Sequence, residues 1–137
     1  MDGRINGQAR LSFYGRNKLM TTQGRDKVFI AAQDIPWETV GEGVRRKIMG
    51  YDEKLMMVFV EFRKGSIGYI HRHEHTQVTY VEKGSFEVQI GGNKTVLSAG
   101  DCFFAPPNID HGVVALEDGI LVDVFTPMRR DFLKTEQ

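Results

Sequence analysis

The chain has 137 residues, with 18 basic and 18 acidic side chains that give a net charge of zero at neutral pH. This length predicts one domain with a buried core, and the balanced charge, without a basic stripe, argues against a nucleic-acid partner. No apolar run reaches the roughly 18 residues that cross a bilayer, so we expect no membrane insertion.

Residues 1–20 differ from the rest of the chain, because they contain three glycines and show no hydrophobic periodicity. We expect a disordered extension or a stretch that precedes a true start at Met20; the alternative is an arm that pairs with a neighbouring subunit. The domain itself is expected over 21–137. With no apolar signal segment and a single cysteine, which cannot form an internal disulfide, a cytoplasmic location is predicted.

From Val44 onward, short apolar runs alternate with turn residues, the pattern of an all-β sandwich or barrel. The predicted strands span residues 44–48, 55–62, 68–70, 77–82, 86–90, 95–97, 102–105, 112–116 and 120–125. Glycine, asparagine, aspartate and proline separate these runs, with one such break predicted at 50–53. Only residues 129–134 are suited to a short helix.

Two of the predicted strands raise specific expectations. Residues 55–62 are apolar on both faces, so we expect a second subunit to cover the outer face and the protein to be a homodimer. Cys102 lies in an apolar run at 102–105 and is expected to be a small buried hydrophobe.

All four histidines lie in two short segments, and three of them form a candidate metal site with an amide. His71 and His73 project to one side of an extended strand, Gln77 can turn in beside them, and His111 completes the set. Imidazoles with an oxygen donor suit Zn, Ni, Mn, Fe or Cu rather than Ca or Mg. A single histidine in a strand is more often a surface or hydrogen-bonded residue, but the turn residues that frame both segments favour the metal site. His75 is expected to be exposed.

The spacing of these segments resembles the two motifs of the cupins. The first motif sets two histidines and an amide between turn glycines: Gly65, His71, His73, Gln77 and Gly84. The second sets a histidine after a glycine and a proline: Gly100, Pro106, Asn108 and His111. Gln77 replaces the usual glutamate and Asn108 the usual glycine. The resemblance implies a double-stranded β-helix, or jelly roll, with one divalent transition metal (Ni, Zn, Mn or Fe) inside the barrel.

Further features resemble the pectin-degradation cupins, the KdgF-like proteins, from Trp37 to Asp131. They are Gln77 itself, the Trp-Glu-Thr-Val sequence at 37–40, and an Asp-x-Phe-(three)-Arg sequence that begins at Asp123. That family opens the ring of 4,5-unsaturated uronates, which pectin and alginate lyases release, to give a 4-deoxy-5-keto uronate. The resemblance therefore implies a small-molecule uronate as substrate.

The resemblance also implies roles for individual residues. The metal ligands fall on His71, His73, Gln77 and His111, and the catalytic residues on Asp123, Phe125 and Arg129. Asp123 is suited to proton transfer, and the planar fork of Arg129 is suited to the uronate carboxylate. The alternatives are that Asp123 pairs with a buried arginine, that Phe125 is core packing and that Arg129 is a surface charge.

Two other functions compete with ring opening. A metal-dependent cupin dioxygenase is one, although Gln77 replaces the carboxylate that such iron sites commonly use. A non-catalytic module that binds sugar acids is the other, although a pure binder gains nothing from an unpaired Asp123 in an apolar strand.

Overall fold

A computed structural model describes residues 28–133, which form two antiparallel β-sheets around a common core. Its ten strands are β1 Glu38–Gly41, β2 Val44–Asp52, β3 Leu55–Phe62, β4 Ile67–His71, β5 Thr76–Lys83, β6 Ser85–Ile90, β7 Asn93–Ser98, β8 Cys102–Ala105, β9 His111–Ala115 and β10 Gly119–Thr126. Two short 3₁₀ turns, Ala32–Asp34 and Arg130–Phe132, flank the strands. The predicted all-β jelly roll is confirmed.

The larger sheet has six strands in the order β1-β2-β3-β10-β5-β8, and the smaller has four in the order β4-β9-β6-β7. The chain crosses between the sheets repeatedly, for example at Gly84 between β5 and β6. Gly84 has a φ of +84°, and a Cβ there would lie 2.6 Å from the carbonyl oxygen of Asp118. Only glycine fits this crossing, because both the backbone conformation and the close approach exclude a side chain.

The core fills the space between the two sheets. Phe62 of the larger sheet meets Phe86 of the smaller edge to face, with ring centroids 5.3 Å apart. Phe86 and Val88, two residues apart on β6, share the buried face, and Ile90 packs against the same core. A second, smaller cluster consists of Met56, Val58, Phe125 and Met128.

The first two strands differ from the prediction. Strand β2 continues to Asp52 through the break expected at 50–53, because an irregularity in register between Ile48 and Tyr51 absorbs Gly50 while pairing with β3 continues. Strand β1 was not predicted, since its residues are mostly exposed and show no inward alternation. The helix expected at 129–134 is only the three-residue turn Arg130–Phe132.

The expectation that Cys102 is buried is wrong, because its side chain is exposed. Strand β8 alternates, with Phe103 and Ala105 facing the core and Cys102 and Phe104 facing outward. The run at 102–105 is apolar on both faces, so its sequence does not reveal which face lies inside.

The expectations for residues 1–20 fall outside the part of the chain that the structure describes. Within residues 28–133, we find no helix of the length and apolar character that a membrane crossing requires.

Candidate metal centre

Three imidazoles converge at one end of the smaller sheet. His71 and His111 are direct partners in the β4–β9 ladder, and His73 follows two residues after the end of β4. One ring nitrogen from each of the three lies within 4.8 Å of the others. The two segments that are distant in sequence are therefore adjacent because antiparallel pairing sets His111 opposite His71.

Each imidazole is held by a hydrogen bond from its Nδ1 atom to a backbone carbonyl. His71 donates to the oxygen of Tyr69 at 2.9 Å, His73 to that of His75 at 3.0 Å, and His111 to that of Ile109 at 2.9 Å. A carbonyl oxygen only accepts, so these contacts assign the proton to Nδ1 and leave a lone pair on Nε2. This backbone support is typical of histidines that bind a metal.

Gln77, near the start of β5, adds its side-chain oxygen to the cluster. Its Oε1 lies 3.0 Å from Nε2 of His73 and 3.2 Å from Nε2 of His111. With Nδ1 protonated on both rings, these are contacts between lone pairs with no hydrogen between them. Such a concentration of acceptors is unfavourable unless a cation shares it, so the donor set fits a divalent transition metal.

Burial favours the neutral form of two of these histidines. Burial lowers the pKa of His111 to about 4, against a smaller opposing effect of its hydrogen bond to Ile109. Burial also lowers the pKa of His73, and the positive charge of Arg129 adds to that effect. Both rings are therefore neutral near pH 7, the state in which imidazole binds a metal.

Behind Gln77 lies a chain of hydrogen bonds that the sequence motifs do not include. The Gln77 amide nitrogen donates to Oγ1 of Thr79 at 2.8 Å, and Thr79 donates to Oδ1 of Asp123 at 2.6 Å. Thr79 is fully buried and is the direct partner of Asp123 in the β5–β10 ladder. Thr79 could have been found from the sequence, because it lies two residues after Gln77 and residues two apart on a strand face the same side.

Asp123 lies inside the barrel, half-buried, and its described hydrogen bonds are to Thr79 and Gln77 rather than to an arginine. Burial raises its pKa to about 6, while the Thr79 hydrogen bond and the charge of Arg129 oppose the shift. A carboxyl group with its pKa near neutrality, next to a candidate metal centre, is suited to exchanging protons.

Arg129 is buried, so its interpretation as a surface charge is wrong. Its guanidinium donates from Nε and Nη2 to the two carboxylate oxygens of Asp131, at 3.1 and 2.8 Å. It also lies over the rings of Phe125 and Phe132, at 5.0 and 4.1 Å from their centroids. The guanidinium fork is therefore already engaged and held between aromatic rings, an arrangement that the sequence motif did not indicate.

Phe125 packs both in the core and against the candidate metal centre. It is 2% exposed, belongs to the smaller core cluster, and meets the ring of His73 edge to face at 5.8 Å. The expected exposure of His75 is wrong, because the residue is half-buried and its Nδ1 has no hydrogen-bond partner among the described residues. Its ring packs near Phe125, at 6.5 Å.

An open cleft of about 530 Å³ lies next to this site. It shares Phe132 with the Arg129 cluster, and its other lining residues include Trp37, Arg46 and Tyr51. Arg46 lies over the ring of Phe132 at 3.9 Å from its centroid. Phe132 thus contacts one arginine of the candidate site and one of the cleft.

The chain is similar to known proteins over most of its length. The family described as "Cupin domain" matches residues 58–125, which include every candidate ligand. A protein of Dickeya dadantii named pectin degradation protein KdgF is 51% identical over 102 residues, covering 73% of this chain and 93% of the relative.

Two solved structures have the same fold. An RmlC-like cupin from Shewanella frigidimarina aligns with a TM-score of 0.78 at 42% identity, over 81% of this chain and all of the other. The structure of KdgF from a Halomonas species aligns with a TM-score of 0.76 at 43% identity, over 78% of this chain and 99% of the other. At this level of identity and coverage, the chain belongs to the KdgF family of cupins.

Proposed function

We propose that this protein acts in pectin degradation by opening the ring of 4,5-unsaturated uronate monosaccharides to give 4-deoxy-5-keto uronates. The observation that carries the proposal is the set of neutral donors His71, His73, Gln77 and His111, with the carboxyl group of Asp123 directly behind the amide. The family supports it, since one relative is named for pectin degradation.

The reaction is an isomerisation in which bonds and protons balance. The substrate is a cyclic enol ether whose C1 carbon is a hemiacetal. Removal of the C1 hydroxyl proton forms the C1 carbonyl as the bond from C1 to the ring oxygen breaks. The electron pair of that bond stays on the ring oxygen as an enolate, and protonation at C4 converts the enolate into the 5-keto group.

His71, His73, Gln77 and His111 would hold one divalent transition metal. When bound, the metal supplies a positive charge that stabilises the enolate oxygen. Because all four ligands are neutral, they leave that charge undiminished, whereas a glutamate at position 77 would reduce it. The Nδ1 hydrogen bonds keep the imidazoles oriented, so the site needs little rearrangement to bind.

Asp123 is the residue that we assign to proton transfer. As a carboxylate it accepts the C1 hydroxyl proton, and as the acid it returns a proton to C4. A pKa of about 6 keeps both forms accessible near neutral pH, which is the requirement for a group that acts first as base and then as acid.

Arg129 and Phe125 are assigned to substrate positioning. A guanidinium has five N–H donors, and Asp131 takes two of them, so the remaining edge is assigned to the uronate carboxylate. The aromatic rings on which Arg129 lies limit its rotamers, and Phe125 provides an apolar wall against the sugar ring.

The test of this proposal is loss of the ultraviolet absorbance of the conjugated C4=C5 bond and carboxylate. Unsaturated monouronates from pectin and from alginate would be mixed with protein that has been reloaded with Ni, Zn, Mn or Fe. We expect acceleration over the spontaneous reaction and loss of that acceleration with chelator. Absence of acceleration with every metal and both substrates would exclude ring opening.

The dioxygenase alternative predicts oxygen consumption by the Fe(II) form with a candidate substrate. The binding-module alternative predicts uronate binding without turnover. Ring opening consumes no oxygen, so an oxygen electrode and the absorbance assay, run on the same metal-loaded sample, separate all three.

We also infer a homodimer that forms through the outer face of the larger sheet. Two rows of apolar side chains cross this face side by side: Phe104, Val78, Val124 and Met57 in one, and Cys102, Tyr80, Val122 and Phe59 in the other. Phe104 is 55% exposed and Tyr80 47%. The Arg45–Glu61 ion pair borders the rows, which matches the apolar centre and polar rim of an interface.

The area of these rows supports a second copy as the occupant. Four of these side chains are 39–55% exposed, and together the rows leave on the order of 500 Å² of apolar surface open. A standard interface buries roughly 800 Å² per partner. The outer face of a sheet can pair with its own copy about a two-fold axis. Sedimentation of the full chain is expected to give a dimer; a monomer of 15.6 kDa at micromolar concentration would contradict this.

A further inference from the structure

The chain from Gln77 through Thr79 to Asp123 links a candidate metal ligand directly to the proposed proton-transfer residue. Thr79 is completely buried, with Asp123 beside it on β10 and Phe103 beside it on β8. A buried hydroxyl needs partners for both its proton and its lone pairs. Here Asp123 and Gln77 supply them.

The number of hydrogens determines the direction of this chain. A carboxylate only accepts, so the single Thr79 proton goes to Asp123, at 2.6 Å. Oγ1 of Thr79 is then left as an acceptor, and the group 2.8 Å away must be the NH₂ of Gln77. This orientation turns the Gln77 carbonyl oxygen toward the imidazoles, where it lies 3.0 Å from His73.

The number of available hydrogens also explains why residue 77 is an amide rather than a carboxylate. A glutamate there would place a carboxylate oxygen about where the amide nitrogen now lies. That oxygen would face Thr79, whose only proton is donated to Asp123, and it would lie about as close to Asp123 as the amide nitrogen does, at 3.5 Å. Two acceptors would face each other without a hydrogen, which is costly in a buried site.

We propose that Thr79 is a positioning residue that holds the Gln77 oxygen toward the metal and couples that ligand to Asp123, and that this coupling requires an amide at position 77. The proposal rests on the function assigned above, in that it takes Gln77 as a metal ligand. It goes beyond that function by assigning a role to Thr79, which lies between the ligand and the proton-transfer residue.

The first experiment measures metal affinity in the absence of any uronate. Binding of Ni²⁺ or Zn²⁺ to the full chain is followed by competition with a chromogenic chelator, for wild type, Thr79→Val and Thr79→Ser. We expect Thr79→Val to weaken binding roughly 10- to 100-fold, the usual effect of losing a partner of a ligand. Thr79→Ser keeps the hydroxyl and is expected to stay near wild type.

The matched control is Thr95→Val, the same exchange at an exposed position of β7, which is expected to leave affinity unchanged. Wild-type affinity in Thr79→Val would overturn the proposal, as would an equal loss in Thr79→Ser. Thermal melting of each metal-free variant shows whether it folds. If Thr79→Val does not fold, the proposal is tested by the affinity of Thr79→Ser and by the second experiment.

The second experiment compares Asp123→Asn in two backgrounds, with glutamine or glutamate at position 77. If the carboxylates of Asp123 and of a glutamate at position 77 oppose each other, Asp123→Asn raises metal affinity in the Gln77→Glu background. The reason is that the amide introduced at position 123 can donate a hydrogen bond to the glutamate. In the wild-type background the same exchange is expected to leave affinity unchanged or lower it. An equal effect in both backgrounds would show that the residues are not coupled. These affinities are measured without turnover, so failure of ring opening leaves them interpretable.

Discussion

Next to the candidate metal centre, the two faces of strands β5 and β10 invert the usual distribution of side chains. Strands β5 and β10 present Gln77, Thr79 and Asp123 to the interior. The outward side chains that alternate with them are Val78 and Tyr80 on β5 and Val122 and Val124 on β10. A sheet with one solvated face normally buries the apolar set and exposes the polar one. The inversion is what the proposed function requires, with a metal and a substrate inside the barrel and a second subunit against the outer face.

The two faces tolerate the inversion for different physical reasons. Inside, the hydrogen bonds from Gln77 to Thr79 and on to Asp123 satisfy the buried polar groups, and a cation would satisfy the lone pairs that converge on the centre. Outside, residues 28–133 offer no such compensation, because apolar side chains gain only by leaving water. Changes to the inner face should therefore affect chemistry, and changes to the outer face assembly.

The largest effect is expected for Asp123→Asn. The exchange keeps the shape of the side chain but removes the base, so the ring-opening rate should fall on the order of 10²–10⁴-fold. Stopped-flow absorbance on metal-loaded protein measures it. Wild-type turnover in Asp123→Asn, together with inactivity of Gln77→Ala, would mean that the metal centre alone carries the chemistry.

Metal binding is expected to respond most strongly to His111→Ala. The change removes the imidazole of a proposed ligand while the backbone pairing of residue 111 with His71 remains, so affinity should fall by more than the roughly 10–100-fold that loss of an outer partner costs. Metal content after dialysis, measured by elemental analysis, checks this. His75→Ala is the comparison, since His75 is outside the cluster of ligand atoms; it should retain metal.

Substrate affinity is expected to depend on Arg129 and, less strongly, on Asp131. Arg129→Ala should raise KM roughly 10- to 100-fold, because a hydrogen bond to a charged group contributes about 1.5–3 kcal/mol. Asp131→Asn keeps the guanidinium but weakens its fork contact, so a smaller rise is expected. Initial rates over a range of uronate concentrations separate KM from kcat. An unchanged KM in Arg129→Ala would remove this residue from substrate binding.

The smallest effect on turnover is expected from the outer face. Tyr80→Asp places a charge in the centre of the apolar rows, where burial against a second copy is costly, and should shift the protein toward the monomer in sedimentation. Val96→Asp, at an exposed position of the smaller sheet, is the control and should remain dimeric. If Tyr80→Asp remains a dimer, the outer face of the larger sheet is not the interface.

The sequence predicted much of the fold because turn residues and alternation are local signals. Gly84 is an example: a glycine between two apolar runs indicates a strand end, and its left-handed backbone and the crowding by Asp118 explain why glycine stands there. Strand β1 and the continuation of β2 were missed, since an edge strand with exposed residues lacks alternation and a bulge mimics a break. Cys102 was assigned to the wrong face because both faces of its strand are apolar.

By itself, the sequence determined the chemical types at the centre. The spacing of His71, His73 and Gln77, and the parity of Asp123 with Phe125, are local properties of the chain. His111 joins them through the register of β4 with β9. Only the tertiary structure decided what each group faces. Thr79 between Gln77 and Asp123 is a contact across strands 44 residues apart in sequence, and no local pattern specifies such a partner.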